Sequence, residues 1–339
     1  MQSFVRRILT LAASCGLVLT FSGAALAQSY TFGYLTSNLP GRKHQDALLA
    51  NPWGLADGPG APFWVSDEAS GYSTLYDGTG TPQSLQVVIP SATATGKGTP
   101  TGIVYNGSSE FQIDSWTSVF LFATLDGTIS GWSHFEPGNA LIGVTQKGAV
   151  YTGLAITSKT SGNFLYAADN ANNKIDMYNG SFSLVKSFRD PNTPAGFAPF
   201  GIQDIGGQVY VAYAHASGGL GGFVDIFTEE GVYVKRLVKG TPLNQAWGMA
   251  VAPANWGPLS GTLLVSNNTK NGEINGFNLK TGALVGTMKN KLGKPLAISG
   301  LWGIEFGGGT AANGNTNQLF FTAGPANTNG YFGVINFTK

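Results

Sequence analysis

Apolar and polar positions along this chain fall into short, strand-sized runs, and the runs repeat. The stretch Asn51–Gly78 sets the pattern. An apolar strand over Trp53–Asp57 leads through a Gly/Pro turn to a second strand over Phe63–Ser66, then through a polar turn to a third over Ser73–Tyr76. Alternation and enrichment in β-branched and aromatic residues support strand at each place. The same order returns down the chain. With Trp53-Gly54 as the anchor, the equivalent dipeptides are Thr101-Gly102, Thr152-Gly153, Phe200-Gly201, Trp247-Gly248 and Trp302-Gly303, spaced 47 to 55 residues apart. Each anchor opens a first strand (GLAD, GIVY, GLAI, GIQD, GMAV, GIEF), and a second (FWVS, VFLFAT, FLYAA, VYVAYA, TLLVS, QLFFTA) and a third follow. A less regular fourth strand closes most units, as in LQVVI, SLVKSF and VYVKRL. No long amphipathic helix interrupts the series.

A repeat of this length matches a four-stranded propeller blade. Each unit is a small twisted sheet with two apolar faces, and it cannot bury both alone. Six units set radially bury each face against a neighbour. The expectation is an all-β, six-bladed β-propeller of four-stranded antiparallel blades spanning residues 28–339. The last unit ends at its third strand, while Tyr30–Ser37 precedes the first anchor as a spare strand. Pairing the two closes the ring and removes two open sheet edges. A linear β-solenoid, the competing architecture, leaves the N-terminal strand without a partner.

The ends and composition narrow the setting. Met1–Ala27 has the form of an export signal: Arg6 and Arg7, a mostly apolar run over Ile8–Ala25, and a small-x-small end at Ala25-Leu26-Ala27. Its glycines and hydroxyl residues argue against a retained membrane anchor, so no membrane span is expected in the mature chain. Localisation is expected to be exported, either periplasmic or extracellular. Cys15, the only cysteine, lies inside the signal. The mature chain therefore has no disulfide, thiolate metal site or cysteine nucleophile. Charged residues make up 11% of the sequence, against roughly 25% in ordinary soluble domains. The formal charge is +1, and loss of Arg6 and Arg7 brings it slightly below zero. Without a basic tract, no nucleic-acid partner is expected. A hydrophobic share of 42% argues against disorder.

The motifs NPWGLA (Asn51–Ala56), LYAADN (Leu165–Asn170), APFGIQ (Ala198–Gln203), AWGMAVAPANWG (Ala246–Gly257), GLWGIEFG (Gly300–Gly307) and FFTAGP (Phe320–Pro325) carry a resemblance over nearly the whole mature chain. The chain resembles six-bladed propellers of the NHL-repeat type. It is similar in particular to a family of exported propeller proteins to which no activity is assigned. The resemblance implies the fold and little chemistry, because fold does not set function.

Four constellations bear on function. Trp53, Phe200, Trp247 and Trp302 hold equivalent positions at one mouth of the central channel. Each can wedge between adjacent blades, or together they can form an aromatic collar for a small molecule, glycan or protein partner. Asp67, Asp169 and Asn267 follow the second strands of blades one, three and five. Their alternation invites an oxygen site for Ca²⁺, but strand spacing keeps them too far apart, and capping of their own turns is the expected role. No cofactor is otherwise expected. Of the three histidines, His44 and His215 fall on the mouth side and His134 on the opposite face. The zinc site that some NHL-type enzymes build from histidines is therefore not expected. Asp57, Asp204 and Glu305, near the far ends of first strands, are either solvated turn residues or carboxylates crowded into the lower channel. No acid stands just before an anchor glycine, which departs from the metal-binding pattern that gluconolactonase-type propellers imply. No G-x-S-x-G, H-E-x-x-H or P-loop is present.

The expected function is a monomeric binding module that uses the channel mouth, with Trp53, Phe200, Trp247, Trp302 and His215 as candidate contacts. The alternative is a metal-dependent hydrolase, lactonase or lyase working through channel carboxylates.

Overall fold

Period-two alternation in the second strands decides which neighbour each side chain meets. In Phe63–Asp67, Phe63 and Val65 pack with Phe320, Phe332 and Val334 of the last unit. Trp64, between them, packs with Phe120, Phe122 and Trp132 of the second unit. In Phe164–Asp169, Leu165 and Ala167 face one way and Tyr166 and Ala168 the other. Both faces of each sheet are thus dry, which is why these strands read as nearly continuous apolar runs. The computed structural model describes residues 28–93, 95–157 and 162–339. It is a ring of six blades, antiparallel except where the two-residue strand His44–Gln45 pairs parallel with the N-terminal strand at the edge of the last, with a hydrophobic cluster in each joint and one more on the axis. The export signal expected over Met1–Ala27, with Cys15, lies outside the described residues.

The blades run in sequence order. Their first strands, at the axis, are Pro52–Ala56, Pro100–Tyr105, Tyr151–Thr157, Phe197–Asp204, Ala246–Val251 and Leu301–Phe306. Fourth strands at the rim include Leu141–Thr145 and Leu284–Thr287, in the two blades where the sequence shows the weakest outer-strand signal. Blade 2 also inserts a small hairpin, Gln112–Ile113 with Trp116–Thr117, that the repeat does not announce.

Ring closure is as expected. Ser29–Ser37 pairs antiparallel with Tyr331–Thr338 and supplies the fourth strand of blade 6, with Tyr30 opposite Phe337 and Ser37 opposite Tyr331. The Tyr30 hydroxyl donates to Trp256 O at 2.9 Å, and its side chain is buried between blades 5 and 6. The latch therefore joins the backbone ladder to the joint beneath it.

The anchor glycines lie where one first strand crosses the next. A Cβ on Gly54 would stand 2.4 Å from Thr101 O, and one on Gly201 would stand 1.9 Å from Trp247 O. Only glycine permits that approach. Hydroxyls reinforce it from blade to blade. Thr101 Oγ1 donates to Tyr151 O at 2.7 Å, Ser266 Oγ to Trp302 O at 2.6 Å, and Thr322 Oγ1 to Trp53 O at 2.6 Å. The last of these spans the closure between blades 6 and 1.

Candidate ligand-binding site

All first strands begin at one face of the ring and end at the other, and the two faces differ. At the starting face the aromatic anchors fill the axis. Trp53 and Trp302 stack with ring centroids 3.6 Å apart, and Trp247 meets both edge-on at 6.2 and 5.7 Å. Phe200 packs on Trp53 and Trp302. The three indoles, from consecutive blades, cluster at the axis with Phe200, and Thr101 and Thr152 leave room on the opposite side. Trp247 uses that room, its Nε1 donating to Thr152 O at 2.9 Å. Trp302 Nε1 donates to Asn51 Oδ1 at 3.3 Å, while buried Trp53 Nε1 has no acceptor among the described residues. All three tryptophans are buried, so this end of the axis is a plug.

The other anticipated residues surround the plug without converging on it. His215 contacts Phe197, and its Nδ1 lies 2.9 Å from Ser217 Oγ. Asp169 ties down its own and the preceding loop, Asn267 the preceding loop, and Asp67 the third strand of its own blade. Thr74 Oγ1 donates to Asp67 at 2.7 Å, Val150 N and Asn172 Nδ2 donate to Asp169, and Asn244 N donates to Asn267 Oδ1 at 3.1 Å. Burial holds the Asp67 carboxyl well above the usual carboxylate range. Among the described residues, no three His, Cys, Asp or Glu side chains gather as metal ligands.

At the far face the first strands open onto a cavity of about 470 Å³. Leu55, Ile103, Ile156, Met249 and Ile304 contribute aliphatic side chains to its walls, and Gln203 and Tyr105 polar ones. Asp57, Asp204 and Glu305 all line it, so the carboxylates at the ends of first strands stand in the channel. A void of about 40 Å³ at the level of the anchor glycines separates this cavity from the plug.

Asp57, just past the first strand of blade 1, and Glu305, in the first strand of blade 6, bring their carboxyls close enough for the charge of one to act on the other. Burial raises the Asp57 pKa, opposed by the hydrogen bond from Asn313. Burial, and then the charge of Asp57, hold Glu305 well above its ordinary value. Its buried Oε2 has no hydrogen-bond partner among the described residues. Burial and the nearness of two like charges both favour the protonated form of such a pair. A protonated member donates where an ionised neighbour accepts.

Asn313 was not legible as part of this site. It lies in the Gly/Asn-rich connection between the first two strands of blade 6, which reads as an ordinary turn. The structure folds that connection over the end of blade 1. Buried Asn313 donates through Nδ2 to Asp57 Oδ2 and accepts from Thr310 Oγ1 at 2.6 Å. Gly308 allows the approach, since a Cβ there would fall 2.2 Å from Asn313 Nδ2 and 2.7 Å from Asp57 Oδ2.

Fold and cavity define a class: a six-bladed all-β propeller, sealed by aromatics at one end of its axis and open to a carboxyl-bearing pocket at the other. No protein-family profile matches the chain. It is 29% identical to the uncharacterised protein R648 of Acanthamoeba polyphaga mimivirus, over 91% of this chain and 81% of that one. It is 32% identical to protein R640 of the same virus over 60% of this chain, which spans 42% of that protein's length. Among solved structures, a streptogramin B lyase superposes with a TM-score of 0.56 at 14% identity, covering 93% of this chain and 99% of that one. A gluconolactonase from Xanthomonas campestris gives 0.55 at 13% identity, covering 86% and 89%. At such identities the likeness is one of fold.

Proposed function

We propose that this protein is an exported propeller of the NHL type that binds a small organic molecule in the far-face cavity. The ligand has an apolar body and a basic or hydrogen-bond-donating group. The observation that carries the reading is the Asp57–Glu305 carboxyl pair in a pocket that aliphatic side chains share with Asp204, Gln203 and Tyr105. Pockets of this size with few, convergent polar groups are the usual form of a small-molecule site. An ammonium entering the pair is partnered by carboxyl oxygens in a place where an isolated charge is costly. Asn313 positions Asp57 for that contact. The aromatic plug closes the inner end of the channel, so the ligand enters and leaves by one face. Phe200, Trp53, Trp247 and Trp302 act in this reading as the closed end of the channel, and His215 stays on the opposite face.

The test is a thermal-shift and calorimetric screen of primary and quaternary amines against their neutral isosteres. Amines are expected to raise the melting temperature. Asp57→Asn and Glu305→Gln are each expected to weaken amine binding about tenfold or more, the scale of a lost charge-assisted hydrogen bond. Equal binding of neutral isosteres, or unchanged binding by both variants, overturns the reading.

The same pair favours a second reading. Two carboxyls in unlike environments, one fixed by an amide and one without a partner on Oε2, suit a proton donor and acceptor. A hydrolase or lyase would use them so. Stoichiometric, chelator-sensitive metal in the purified protein, Ca²⁺ above all, would promote this alternative.

A further inference from the structure

A near-neutral total charge hides a strong asymmetry. Residues 231–339 carry nine Lys/Arg and two Asp/Glu, whereas residues 28–230 carry eight and sixteen. One of the two acids, Glu305, is inside the channel. The excess positive charge therefore belongs to the outer surface, around blade 5.

Its focus is the connection from blade 5 to blade 6. Buried Met288 and Leu296 anchor a tight hairpin, with Leu296 N donating to Met288 O at 2.9 Å and Lys289 bridged to Pro295. Asn290 ties the tip. Its Oδ1 accepts from Leu292 N at 2.9 Å and Lys294 N at 3.2 Å, and its backbone N donates to Lys294 O at 2.8 Å. The tip is thus a fixed shape, and what it displays is Leu292, 72% exposed. Exposed Lys289, Lys291 and Lys294 surround it. The adjoining outer strand adds Leu284 and Val285, each about half exposed. The described ion pairs belong to Lys174 and Arg236, in blades 3 and 4.

A soluble polyanion needs only the lysines. It gives no reason to hold an aliphatic side chain rigidly at the apex of a cationic collar. A bilayer uses both, since aliphatic groups enter the head-group layer while ammonium groups stay with the phosphates. We propose that the Lys289–Lys294 hairpin docks this protein on an anionic lipid surface, Leu292 entering the head-group layer and Lys289, Lys291 and Lys294 contacting lipid phosphates. This surface is separate from the channel cavity and stands whatever the cavity binds.

The test is co-sedimentation of a chain beginning at Gln28, which contains every described blade, with vesicles of POPC or of POPC with about 30% POPG. Binding is expected on the POPG vesicles, weak on POPC, and lost between about 50 mM and about 500 mM salt. Replacing Lys289, Lys291 and Lys294 together by Ala should lower vesicle affinity about a hundredfold. Leu292→Asn should lower it about tenfold while leaving retention on a heparin column unchanged. All four side chains are exposed, so unaltered melting curves are expected. Equal binding to both vesicle types, or Leu292→Asn binding POPG vesicles like the parent, overturns the proposal. The second result would assign the lysines to a soluble polyanion, and a salt-sensitive dimer without vesicle binding would assign them to a second copy.

Discussion

The carboxyl of Asp57, from the first blade, shares one cavity with that of Glu305, from the last, across the seam where the ring closes, near enough for its charge to act on Glu305. Both pKa values are raised in the folded chain, first by burial. In the unfolded chain such groups titrate at about 4. Above that pH the folded state holds more protons than the unfolded one. Their contribution to stability is therefore full below about pH 4 and falls as pH rises toward the folded values, by up to about 1.4 kcal/mol per pH unit for each retained proton. Urea titrations between these limits should show Glu305→Gln losing less stability with rising pH than the parent. Parallel curves for the two proteins would mean that the pair retains no proton.

Arg236 is held between two buried acids. Its Nε donates to Asp225 at 2.9 Å, it also bonds Asp190, and its guanidinium lies 3.7 Å over the Phe223 ring. Burial still pushes Asp225 up to about 7. Arg236→Met leaves both carboxyls without their cation and should cost about 3–5 kcal/mol in urea unfolding. Adding Asp190→Asn and Asp225→Asn should recover part of it, because the uncompensated charge and not the lost packing dominates. Failure to recover any would assign the loss to the Phe223 contact.

Gly201→Ala tests the crossing of first strands. The added Cβ meets Trp247 O at 1.9 Å, a backbone atom that cannot turn aside. A loss of about 3 kcal/mol or more is expected, at the upper end for overpacking. Gly33→Ala is the control, with nothing within 4 Å of its Cβ position. Chemical denaturation of the two should separate them clearly.

Trp302→Ala should cost about 3–5 kcal/mol, the range for truncating a buried aromatic. It removes the stack on Trp53 and one side of the plug. Equilibrium unfolding gives the stability loss. Intrinsic fluorescence should report Trp53 and Trp247 becoming more solvated in the still-folded variant.

Removal of residues 28–37 strips the fourth strand from blade 6, baring the edge of Tyr331–Thr338 and the joint that Tyr30 fills. Cooperative unfolding should give way to a broad transition with aggregation, as expected of an exposed strand edge. Calorimetry of the truncated and parent chains makes the comparison. A milder change, Tyr30→Phe, loses the hydroxyl bond to Trp256 O and should cost about 1 kcal/mol.

Much of the architecture was written in local order. The recurrence of an anchor glycine, an apolar first strand and an apolar second strand is enough to count the blades. The unmatched strand at each end is enough to close them. The placement of Asp57, Asp204 and Glu305 at the far ends of first strands follows from strand length alone. The hairpin at Gln112–Thr117 and the outer strands Leu141–Thr145 and Leu284–Thr287 were weaker signals. Rim strands bury one face at most, and so carry less apolar pattern.

By itself the sequence determined the repeat, and with it which residues begin and end each strand, because a blade must hide two apolar faces and only a ring of blades does so. It could not decide what the side chains at the axis do to each other. That the indoles of Trp53, Trp247 and Trp302 plug one end, that Asn313 crosses to Asp57, and that the Lys289–Lys294 turn is held with Leu292 exposed at its tip are all consequences of distance in space. Contacts across an axis join residues far apart in the chain, and no local preference for strand or turn encodes which of them will touch.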